Sequence, residues 1–592
     1  MIDWHKRLAT LSEQHQKNQR SAERLSRLRL LFTLATVLGF LWLWQMAVTA
    51  LVAFLFTVAK HQQAHAQGRR LTELIAASQR MIARQSGTWH TFAVTPPVFL
   101  DEQDQPLDPA TVLATHPYAS DLDLFGRRSL FQMFNETGTF FGHAMLTHLL
   151  TAETDLTTAK LRQQAVAELI ANTPFCEELK VTTKLSGTTA NPTPLISYLA
   201  SGPTSHLLLR MARYLPLLTW TGILVQLRWP SPALLVLMLS LIGLQLLAFL
   251  AATVNTVPVL GMFSGFNQGL TRYKALFTLI EHEPFTAELN RTMQGFLTQD
   301  SQQASLFINK LARLAWAIGL RADGILRLLL NLTCLYDLQL MLAVEKLSTQ
   351  HQNLARWLRT IGFFEAMVSL AGVGQAFPDW THPTLSSHQP LSMTHMAHPL
   401  LHEPVTNHYT HQKISLITGS NMSGKTTFMR SIGVNMVLAY AGAPVRAQSF
   451  TLPMVSLFTS MRITDSVTEN MSTFYAELQR IKQMIERARD PQPMLFFIDE
   501  IFRGTNSEDR ITGAQRVLKQ LNQPHVGGFI TTHDLEVAAT SQPQWQNYHF
   551  RESYDQQRIH FDYRLRPGIS TTRNAQYLIA MVGIEDSYPL SK

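Results

Sequence analysis

The segment Gly419–Thr426 has the residue types of a phosphate-binding loop. Its sequence, GSNMSGKT, begins with a glycine and ends with a second glycine, a lysine and a threonine. In such loops the backbone N–H groups surround phosphate oxygens, the lysine reaches the β- and γ-phosphates, and the hydroxyl binds Mg²⁺. We therefore expect Lys425 to contribute to catalysis and Thr426 to bind the metal. The predicted nucleotide-binding residues are Gly419, Ser420, Asn421, Met422, Ser423, Gly424, Lys425, Thr426 and Thr427.

The sequence on either side of this loop supports a nucleotide site. The run Lys413–Thr418 is short, apolar and rich in β-branched residues, which is typical of a buried strand. The residues after the loop, Thr427–Ala441, have a helical composition. A strand, a glycine-rich loop and a helix in this order place the positive end of the helix at the phosphates. This context favours a nucleotide site over a chance match.

Two further strand-like runs end in residues that ATP hydrolysis requires. Met494–Ile498 is followed by Asp499 and Glu500. Asp499 is placed to hold the Mg²⁺ shell and Glu500 to polarise the attacking water; an exposed strand end is the alternative for this pair. Gly528–Thr532 is followed by His533, which we expect to sense the γ-phosphate. A surface histidine is the alternative, and the order of loop, acid pair and histidine disfavours it.

Four segments together resemble the ATPase domain of the MutS mismatch-repair family, a relative of the ABC-type ATPases. They are TGSNMSGKTTFMRSIG, MSTFYAELQRI, FFIDEIFRGTNSEDR and TTHDLEVA, within Met393 to Ile584. The resemblance implies a head-to-tail homodimer with two nucleotides at its interface. It also implies that Ser472 reaches the γ-phosphate bound by the other copy and that Asn421 helps to line the loop. Ser420 and Ser423 stand where the repair proteins usually have proline and glycine.

The resemblance extends into the middle of the chain. Asp121–Leu150 and Leu161–Leu169 resemble the start of the family's helical core, and Phe363–Phe377 resembles its last helix, for which an ordinary amphipathic helix is the alternative. Within Gly261–Pro383 the apolar residues have helical spacing. The repair proteins open with a mismatch-reading domain and a connector domain. Because the core-like region begins at Asp121, we expect neither domain in this chain.

Long apolar segments predict association with a membrane. Leu30–Ala59 contains no charged residue. A spanning helix needs about 20 apolar residues, so this run is either one long helix or a tight hairpin. Tyr214–Leu227 and Ala233–Val254 are separated by a strong turn sequence, RWPSP, and form a second predicted hairpin. Tyr214–Leu227 is short and contains Pro216, so a re-entrant segment is the alternative there. A buried core helix is the alternative for Ala233–Val254, and its lack of charge disfavours that alternative.

Basic residues flank the first apolar run on both sides. Lysine and arginine beside membrane segments favour the cytosolic side, and the predicted ATPase needs cytosolic ATP. We therefore expect a multi-pass protein of the cell membrane, with two hairpins and an ATPase domain that faces the cytoplasm. The flanking cations are Lys6, Arg7, Lys17, Arg20, Arg24, Arg27, Arg29, Lys60, Arg69, Arg70, Arg80 and Arg84.

The overall composition agrees with a soluble chain that carries a smaller membrane part. Apolar residues make up 46% of the chain, and the net charge is +8. Because many of the cations lie beside the apolar runs, we assign the charge to topology and anionic lipid rather than to DNA. The only cysteines are Cys176 and Cys334, which argues against a disulfide framework or a cysteine-rich zinc site.

The predicted fold is an α/β ABC-type P-loop ATPase domain with a mostly α-helical MutS-like core and transmembrane helical hairpins. The predicted order is a basic cytosolic N-terminus (1–29), a transmembrane run (30–59), a cytosolic helix and linker (60–120), the first part of the core (121–213), a second transmembrane hairpin (214–254), the second part of the core (255–392) and the ATPase domain (393–592).

The predicted function is that of a membrane-anchored MutS-like ATPase, which hydrolyses ATP at a dimer interface and moves the helical core, with action on DNA left open. One alternative is a membrane-remodelling or transport ATPase, which the absence of a Leu-Ser-Gly-Gly-Gln signature disfavours. The other is a nucleotide-gated scaffold without DNA binding, which the intact Asp499–Glu500 pair disfavours. ATP and Mg²⁺ are the expected cofactors. The lipid bilayer and a second copy of the chain are the expected partners.

Overall fold

The computed structural model describes most of the chain, and within the described parts the chain is mostly helical, with its strands concentrated after residue 383. The described ranges are 3–42, 44–186, 191–201, 206–298, 304–348, 351–387, 389–420, 422–462, 473–502, 506–539, 545–555 and 558–570.

Helices account for almost all regular structure before residue 383, apart from one short β-hairpin, β1 (Phe99–Leu100) and β2 (Pro106–Leu107). The helices are α1 (Trp4–Trp42), α2 (Trp44–Gln85), α3 (Pro109–Thr115), α4 (Leu130–Phe134), α5 (Phe140–Thr151), α6 (Leu156–Ala171), α7 (Thr173–Ser186), α8 (Thr193–Ser201), α9 (His206–Arg228), α10 (Pro232–His282), α11 (Glu288–Thr298), α12 (Ala304–Gly319), α13 (Gly324–Cys334), α14 (Tyr336–Ser348) and α15 (His351–Ala376).

The first apolar run is divided between α1 and α2, which form an antiparallel hairpin. Near the turn, Gly39 lies against the backbone of Ala47, and a Cβ at Gly39 would be 2.7 Å from the Ala47 nitrogen. Farther from the turn, Asn18 Nδ2 donates to the carbonyl oxygen of Ala64 at 2.8 Å. Glycine at position 39 therefore allows the two helices to approach closely where the chain reverses.

The second apolar region lies in α9 and α10. These helices pack together, and Gln245 Nε2 donates to Thr219 Oγ1 at 2.5 Å across their interface. Among the described residues, α2 and the Pro232–Val254 part of α10 are long and apolar enough to cross a membrane. The pair α13 and α14, which is bent by 78°, is a third candidate. Neither α1 nor α9 meets this test, so the topology of four crossings stays a prediction.

The centre of the helical part is α15, which packs against α5, α6, α7, α8 and α11. Its contact with α5 is close, because a Cβ at Gly362 would be 2.5 Å from the carbonyl oxygen of Phe141. Aromatic rings fill the neighbouring space, with Phe285 stacked on Phe364 at a centroid distance of 4.9 Å. Side-chain caps begin several of these helices; Asp155, for example, accepts from the Thr157 and Thr158 amides at the start of α6.

The C-terminal part is an α/β domain with two sheets. Its elements are β3 (Thr384–Ser386), β4 (Ser392–Met396), β5 (Asn407–Thr410), β6 (Ile414–Thr418), α16 (Lys425–Ala441), β7 (Ser449–Pro453), β8 (Ser456–Ser460), α17 (Thr473–Ala488), β9 (Met494–Asp499), α18 (Ser507–Leu521), β10 (Val526–Thr532), α19 (Leu535–Ala539), β11 (Trp545–Asp555) and β12 (Arg558–Pro567).

The larger sheet has six strands in the order β12-β11-β6-β10-β9-β8. All neighbours are parallel except β11 and β12. Strands β6 and β9 are buried along their whole length, which explains their continuous apolar sequences. Because β6, β9 and β10 run in the same direction, the residues that follow them meet at one edge of the sheet. The smaller sheet has the order β3-β7-β4-β5.

Asp121 joins the helical part to the α/β domain. Its buried carboxylate accepts hydrogen bonds from Thr459 Oγ1 at 2.6 Å and from the backbone amides of Met461 and Arg462, each at 3.0 Å. Nearby, Asp123 pairs with Arg430 of α16 at 3.2 Å. The start of the core-like segment is therefore fixed to the end of β8 and to the helix that follows the predicted phosphate loop.

Candidate nucleotide site

The predicted phosphate loop connects β6 to α16 at the carboxyl edge of the larger sheet. Gly419 and Gly424 have φ values of 146° and 105°, and Met422 has a φ of 67°. Glycine adopts positive φ without a steric penalty. A Cβ at Gly419 would also lie 2.9 Å from Ser423 Oγ, so the loop curls tightly on itself. The backbone therefore requires glycine at position 419.

Lys425 begins α16, and its ammonium group lies against the loop. Its Nζ donates to the carbonyl oxygens of Gly419 and Ser420, at 2.8 Å each, and the side chain is buried. The lysine therefore lies where the sequence predicts a phosphate contact. The hydroxyl oxygens of Ser420 and Ser423 are also buried, so the two serines fit within the loop.

Asp499, at the end of β9, is held by hydroxyl groups from two other elements. Thr426 Oγ1 of α16 donates to Asp499 Oδ2 at 2.7 Å, and Thr531 Oγ1 of β10 donates to Asp499 Oδ1 at 2.6 Å. The carboxylate is buried. Oxygen ligands of this kind suit Mg²⁺, which usually takes one or two carboxylates together with phosphate oxygens and water. Asp499 and Thr426 therefore fit the predicted ion.

Glu500 follows Asp499 and contacts His533. The distance between Glu500 Oε1 and His533 Nε2 is 2.6 Å. Glu500 has a φ of 56°, and its amide donates to Thr531 Oγ1 at 3.0 Å. A non-glycine residue with positive φ is costly and needs support from its surroundings. The turn after β9 thus aims the carboxylate at the same cleft that Lys425 and Thr426 line.

The cleft beside the loop has a volume of about 520 Å³, within the usual range for ligand pockets. Its polar lining residues include Lys425, Thr426, Thr427 and Glu500. Its apolar lining residues are Leu401, Pro404, Val405, Met422, Phe428 and Phe550, together with the ring of Tyr563. His398 also lines the cleft; burial, with Arg430 and Arg446, lowers its pKa to about 4. A lining with both polar and apolar side chains suits a ligand that carries both phosphates and a flat ring.

The structure brings together five of the predicted catalytic and metal residues: Lys425, Thr426, Asp499, Glu500 and His533. Thr427 lines the same cleft. Ser472 and Asn421 lie outside the described residues. The described part of α17 begins at Thr473, and its buried Glu477 accepts from the backbone amide of Phe502 at 2.6 Å. This contact joins the helix after Ser472 to the turn that carries Glu500.

Three residues around the site, Thr531, Asn407 and Tyr563, are not among the residues predicted from the sequence. Thr531 holds both Asp499 and the amide of Glu500; its position beside Thr532 at a strand end was the available signal. Asn407 donates to the carbonyl oxygen of Tyr563 at 3.0 Å and accepts from the Leu565 amide at 2.7 Å. It thereby holds Tyr563 at the cleft, and no local sequence signal indicates this contact.

The comparisons with known proteins concern mainly this domain. Residues 415–586 match the family MutS domain V. A DNA mismatch repair protein MutS from Natronomonas pharaonis is 25% identical over 255 residues, which are 41% of this chain and 29% of the relative. DNA mismatch repair protein MutS 2 from Haloarcula marismortui is 30% identical over 179 residues, 29% of this chain and 19% of the relative. MutS from a Roseiflexus species is 27% identical over 248 residues, 39% of this chain and 22% of the relative.

The site thus lies in a domain of the α/β class, with its predicted ligands at the carboxyl edge of a mostly parallel sheet. The chain is similar to MutS proteins, and residues 415–586 in its C-terminal part match MutS domain V. The matched segments span less than a third of the length of these three relatives.

Proposed function

We propose that this protein is a membrane-anchored ATPase of the MutS type. The observation that carries the proposal is the position of Asp499, whose two oxygens accept hydrogen bonds from Thr426 and Thr531 next to a curled loop and a buried lysine. This geometry supports a P-loop site of the ABC type that binds ATP. The matches to MutS domain V and to MutS relatives support the same class.

Each residue of the site has a proposed task. Lys425 turns from the carbonyl oxygens of Gly419 and Ser420 towards the phosphates, where it offsets their negative charge. Thr426 and Asp499 would hold Mg²⁺, and the ion, when bound, would neutralise the charge that develops on the phosphate oxygens. Glu500 orients the attacking water and accepts its proton. His533, in contact with Glu500 at 2.6 Å, fixes the carboxylate and reports the γ-phosphate.

The proposed working form is a homodimer with the nucleotide at its interface, in which Ser472 completes the site of the other copy. This part rests on the likeness to MutS relatives. The contact between Glu477 and Phe502 gives a route by which movement of α17 reaches Glu500. At the other end, Asp123 connects α16 to the helical core. Nucleotide-driven closure would therefore be passed to the core.

We further propose that α1–α2 and α9–α10 anchor the protein in the cell membrane, with the α/β domain in the cytoplasm. The exposed apolar side chains on these helices support this anchoring; Phe40, Trp44, Leu227 and Leu247 are each at least 65% exposed. Large contiguous apolar surfaces of this kind are costly in water and mark contact with another apolar phase.

The relatives are DNA mismatch repair proteins by name, and on that ground we propose mismatch-repair-like action on DNA. The test is binding of duplex DNA by the detergent-purified protein, with and without ATP, across a series of salt concentrations. Contacts to phosphates predict an affinity that falls steeply with salt. Absence of binding at low salt in both nucleotide states would reject DNA as the substrate and leave the ATPase proposal standing.

Equilibrium binding of ATP with Mg²⁺ to the full-length protein in detergent tests the nucleotide site. We expect Lys425→Ala to abolish or strongly weaken binding. Lys482→Ala is the matched control, because Lys482 is an exposed lysine of the same domain whose ion pair, within the described residues, is with Glu486 in α17. Equal affinity of the wild type and Lys425→Ala would contradict the proposed site.

A further inference from the structure

Helix α13 carries an apolar face that is exposed in the described part of the protein. Ile325, Leu328 and Leu329 are 77%, 45% and 54% exposed. Their spacing of three and four residues places them on one side of the helix. The helix has 11 residues and is therefore about 16 Å long, about half the thickness of the hydrocarbon core of a bilayer. It is too short to cross a membrane.

The polar residues of α13 are fixed to the protein. Arg327 Nη2 and Asn331 Nδ2 donate to the carboxylate of Asp337, at 2.9 Å and 3.2 Å, and Arg321 Nε donates to the same group at 2.8 Å. Asp337 belongs to α14 and is buried. Three donor residues bind one buried acceptor, and these hydrogen bonds fix the orientation of α13. In this orientation its apolar face points away from the protein.

The bend between α13 and α14 separates two helices with different surroundings. Leu335, at the bend, has a φ of 50°, and the two axes differ by 78°. Four apolar residues of α14 are buried, namely Leu338, Leu340, Met341 and Val344, and Leu342, Ala343 and Leu347 are half-buried and pack against the core. Since α14 has no free apolar side to offer to lipid, the pair is not a broken membrane span. Of the two described helices, α13 is the one with large apolar side chains that are exposed.

Helix α13 lies beside the apolar part of α10. The guanidinium group of Arg327 lies over the ring of Phe249, 5.4 Å from its centroid. Phe249 is close to the Val254 end of the candidate span Pro232–Val254. In the proposed topology the turn before Pro232 is on the far side of the membrane, so Phe249 is near the cytosolic boundary. The apolar face of α13 thus begins at the level where the span leaves the lipid.

The chain just before α13 has the residues of a membrane interface. Trp316 is 64% exposed, and Leu320 is also exposed. Lys310 and Arg313, on the same helix as Trp316, are exposed as well. Tryptophan is enriched at the boundary between lipid and water, and cations near it attract anionic headgroups. A short helix with exposed leucine and isoleucine next to such residues is typical of in-plane membrane binding.

We propose that α13 lies in the plane of the cytosolic leaflet, with Ile325, Leu328 and Leu329 among the acyl chains. The exposed cations of α12 then meet the headgroups. This inference rests on the proposed membrane anchoring and adds a third contact to it, from a helix within the second part of the core. The helical core is therefore held against the bilayer surface, and closure of the α/β domain acts on a core that cannot swing freely.

Nitroxide labels on single cysteines of the full-length protein test this placement. Cys334 is replaced by serine; Cys176 is buried, and burial raises its thiol pKa to about 11, so it stays unlabelled. The reporter is Leu328→Cys, with Ile325→Cys as a second reporter on the same face. The matched references are Val236→Cys, exposed on the α10 span, and Leu107→Cys, exposed on the β1–β2 hairpin. The vesicles contain phosphatidylethanolamine and phosphatidylglycerol.

The readout is the collision rate of each label with oxygen, which concentrates in lipid, relative to a water-soluble nickel chelate. We expect collisions with oxygen to dominate at Val236→Cys. We expect the same at both α13 reporters, with a ratio that indicates a shallower depth. Collisions with the nickel chelate should dominate at Leu107→Cys. Nickel-dominated collisions at both reporters, with Val236→Cys still in lipid, would overturn the proposal for α13 alone. Reporters shielded from both agents would place a protein partner there and also overturn it. Nickel-dominated collisions at Val236→Cys would reject the membrane anchoring itself.

Discussion

Thr426 donates a hydrogen bond to Asp499 at 2.7 Å, which joins the first turn of α16 to the end of β9. The two residues are far apart in the sequence and meet because β6 and β9 end at the same edge of one sheet. Thr531 completes the arrangement from β10, the strand that lies between them. A hydroxyl and a carboxylate beside a phosphate loop are oxygen ligands of the kind that suit a nucleotide-bound Mg²⁺.

The first prediction concerns Thr531, which orients Asp499 without being a proposed metal ligand. We expect Thr531→Val to weaken the apparent affinity for Mg²⁺ by about 10- to 100-fold, because removal of a group that orients a metal ligand has effects of that size. The measurement is ATP binding as a function of Mg²⁺ concentration. Thr531→Ser keeps the hydroxyl and should retain the affinity of the wild type. An unchanged Mg²⁺ dependence in Thr531→Val would show that Thr531 does not orient Asp499 for the metal.

The second prediction concerns Glu136, a buried carboxylate that joins the C-terminal end of α2 to the helical core. It accepts a hydrogen bond from Arg84 and, at 3.0 Å, from Arg80 Nε. Loss of one member of a buried ion pair costs roughly 3–5 kcal/mol. We therefore expect Glu136→Gln to lower the free energy of unfolding by about that amount. Glu13→Gln is the control, because Glu13 is an exposed partner of Lys17, and such pairs contribute little.

The same carboxylate predicts a dependence of stability on pH. Burial by itself raises the pKa of Glu136, but the surrounding cations outweigh burial and hold the pKa well below its ordinary value of 4.5. The ionised group therefore stabilises the folded protein above pH 4.5, and this contribution is lost as the pH falls further towards the folded pKa. We expect the stability difference between the wild type and Glu136→Gln to shrink below pH 4.5. The cations are Arg80, Arg84, Lys180 and Lys184.

The third prediction concerns the close approach of α1 and α2. A methyl group at Gly39 would meet the Ala47 backbone, and overpacking of this kind costs roughly 1–3 kcal/mol. We expect Gly39→Ala to lower the thermal unfolding temperature of the detergent-purified protein. Gly243→Ala, in the apolar part of α10, is the matched control, since a Cβ there would meet nothing within 4 Å. Equal effects of the two substitutions would argue against the tight hairpin.

Part of the site could be predicted from the sequence because its signals are local. The glycines and Lys425 follow one another in the loop, and Asp499, Glu500 and His533 each follow an apolar strand. The contacts of Thr531 and Tyr563 depend on which strands are neighbours in the sheet, and this order cannot be obtained from periodicity. The sequence predicts α13 as part of the helical core and does not indicate its exposed face, for a similar reason. Apolar spacing shows that Ile325, Leu328 and Leu329 share a side but not whether that side is covered.

Hydrolysis of ATP by the full-length protein in vesicles tests the central claim most directly. The measurement is Mg²⁺-dependent phosphate release by the wild type and by Glu500→Gln, with bound nucleotide quantified in parallel. Loss of the water-orienting carboxylate should slow release by about 100-fold or more, while ATP stays bound. The predicted result is that the wild type releases phosphate, whereas Glu500→Gln releases it slowly and retains bound ATP. No Mg²⁺-dependent release from the wild type, or equal rates in the two proteins, would contradict a MutS-type ATPase at this site.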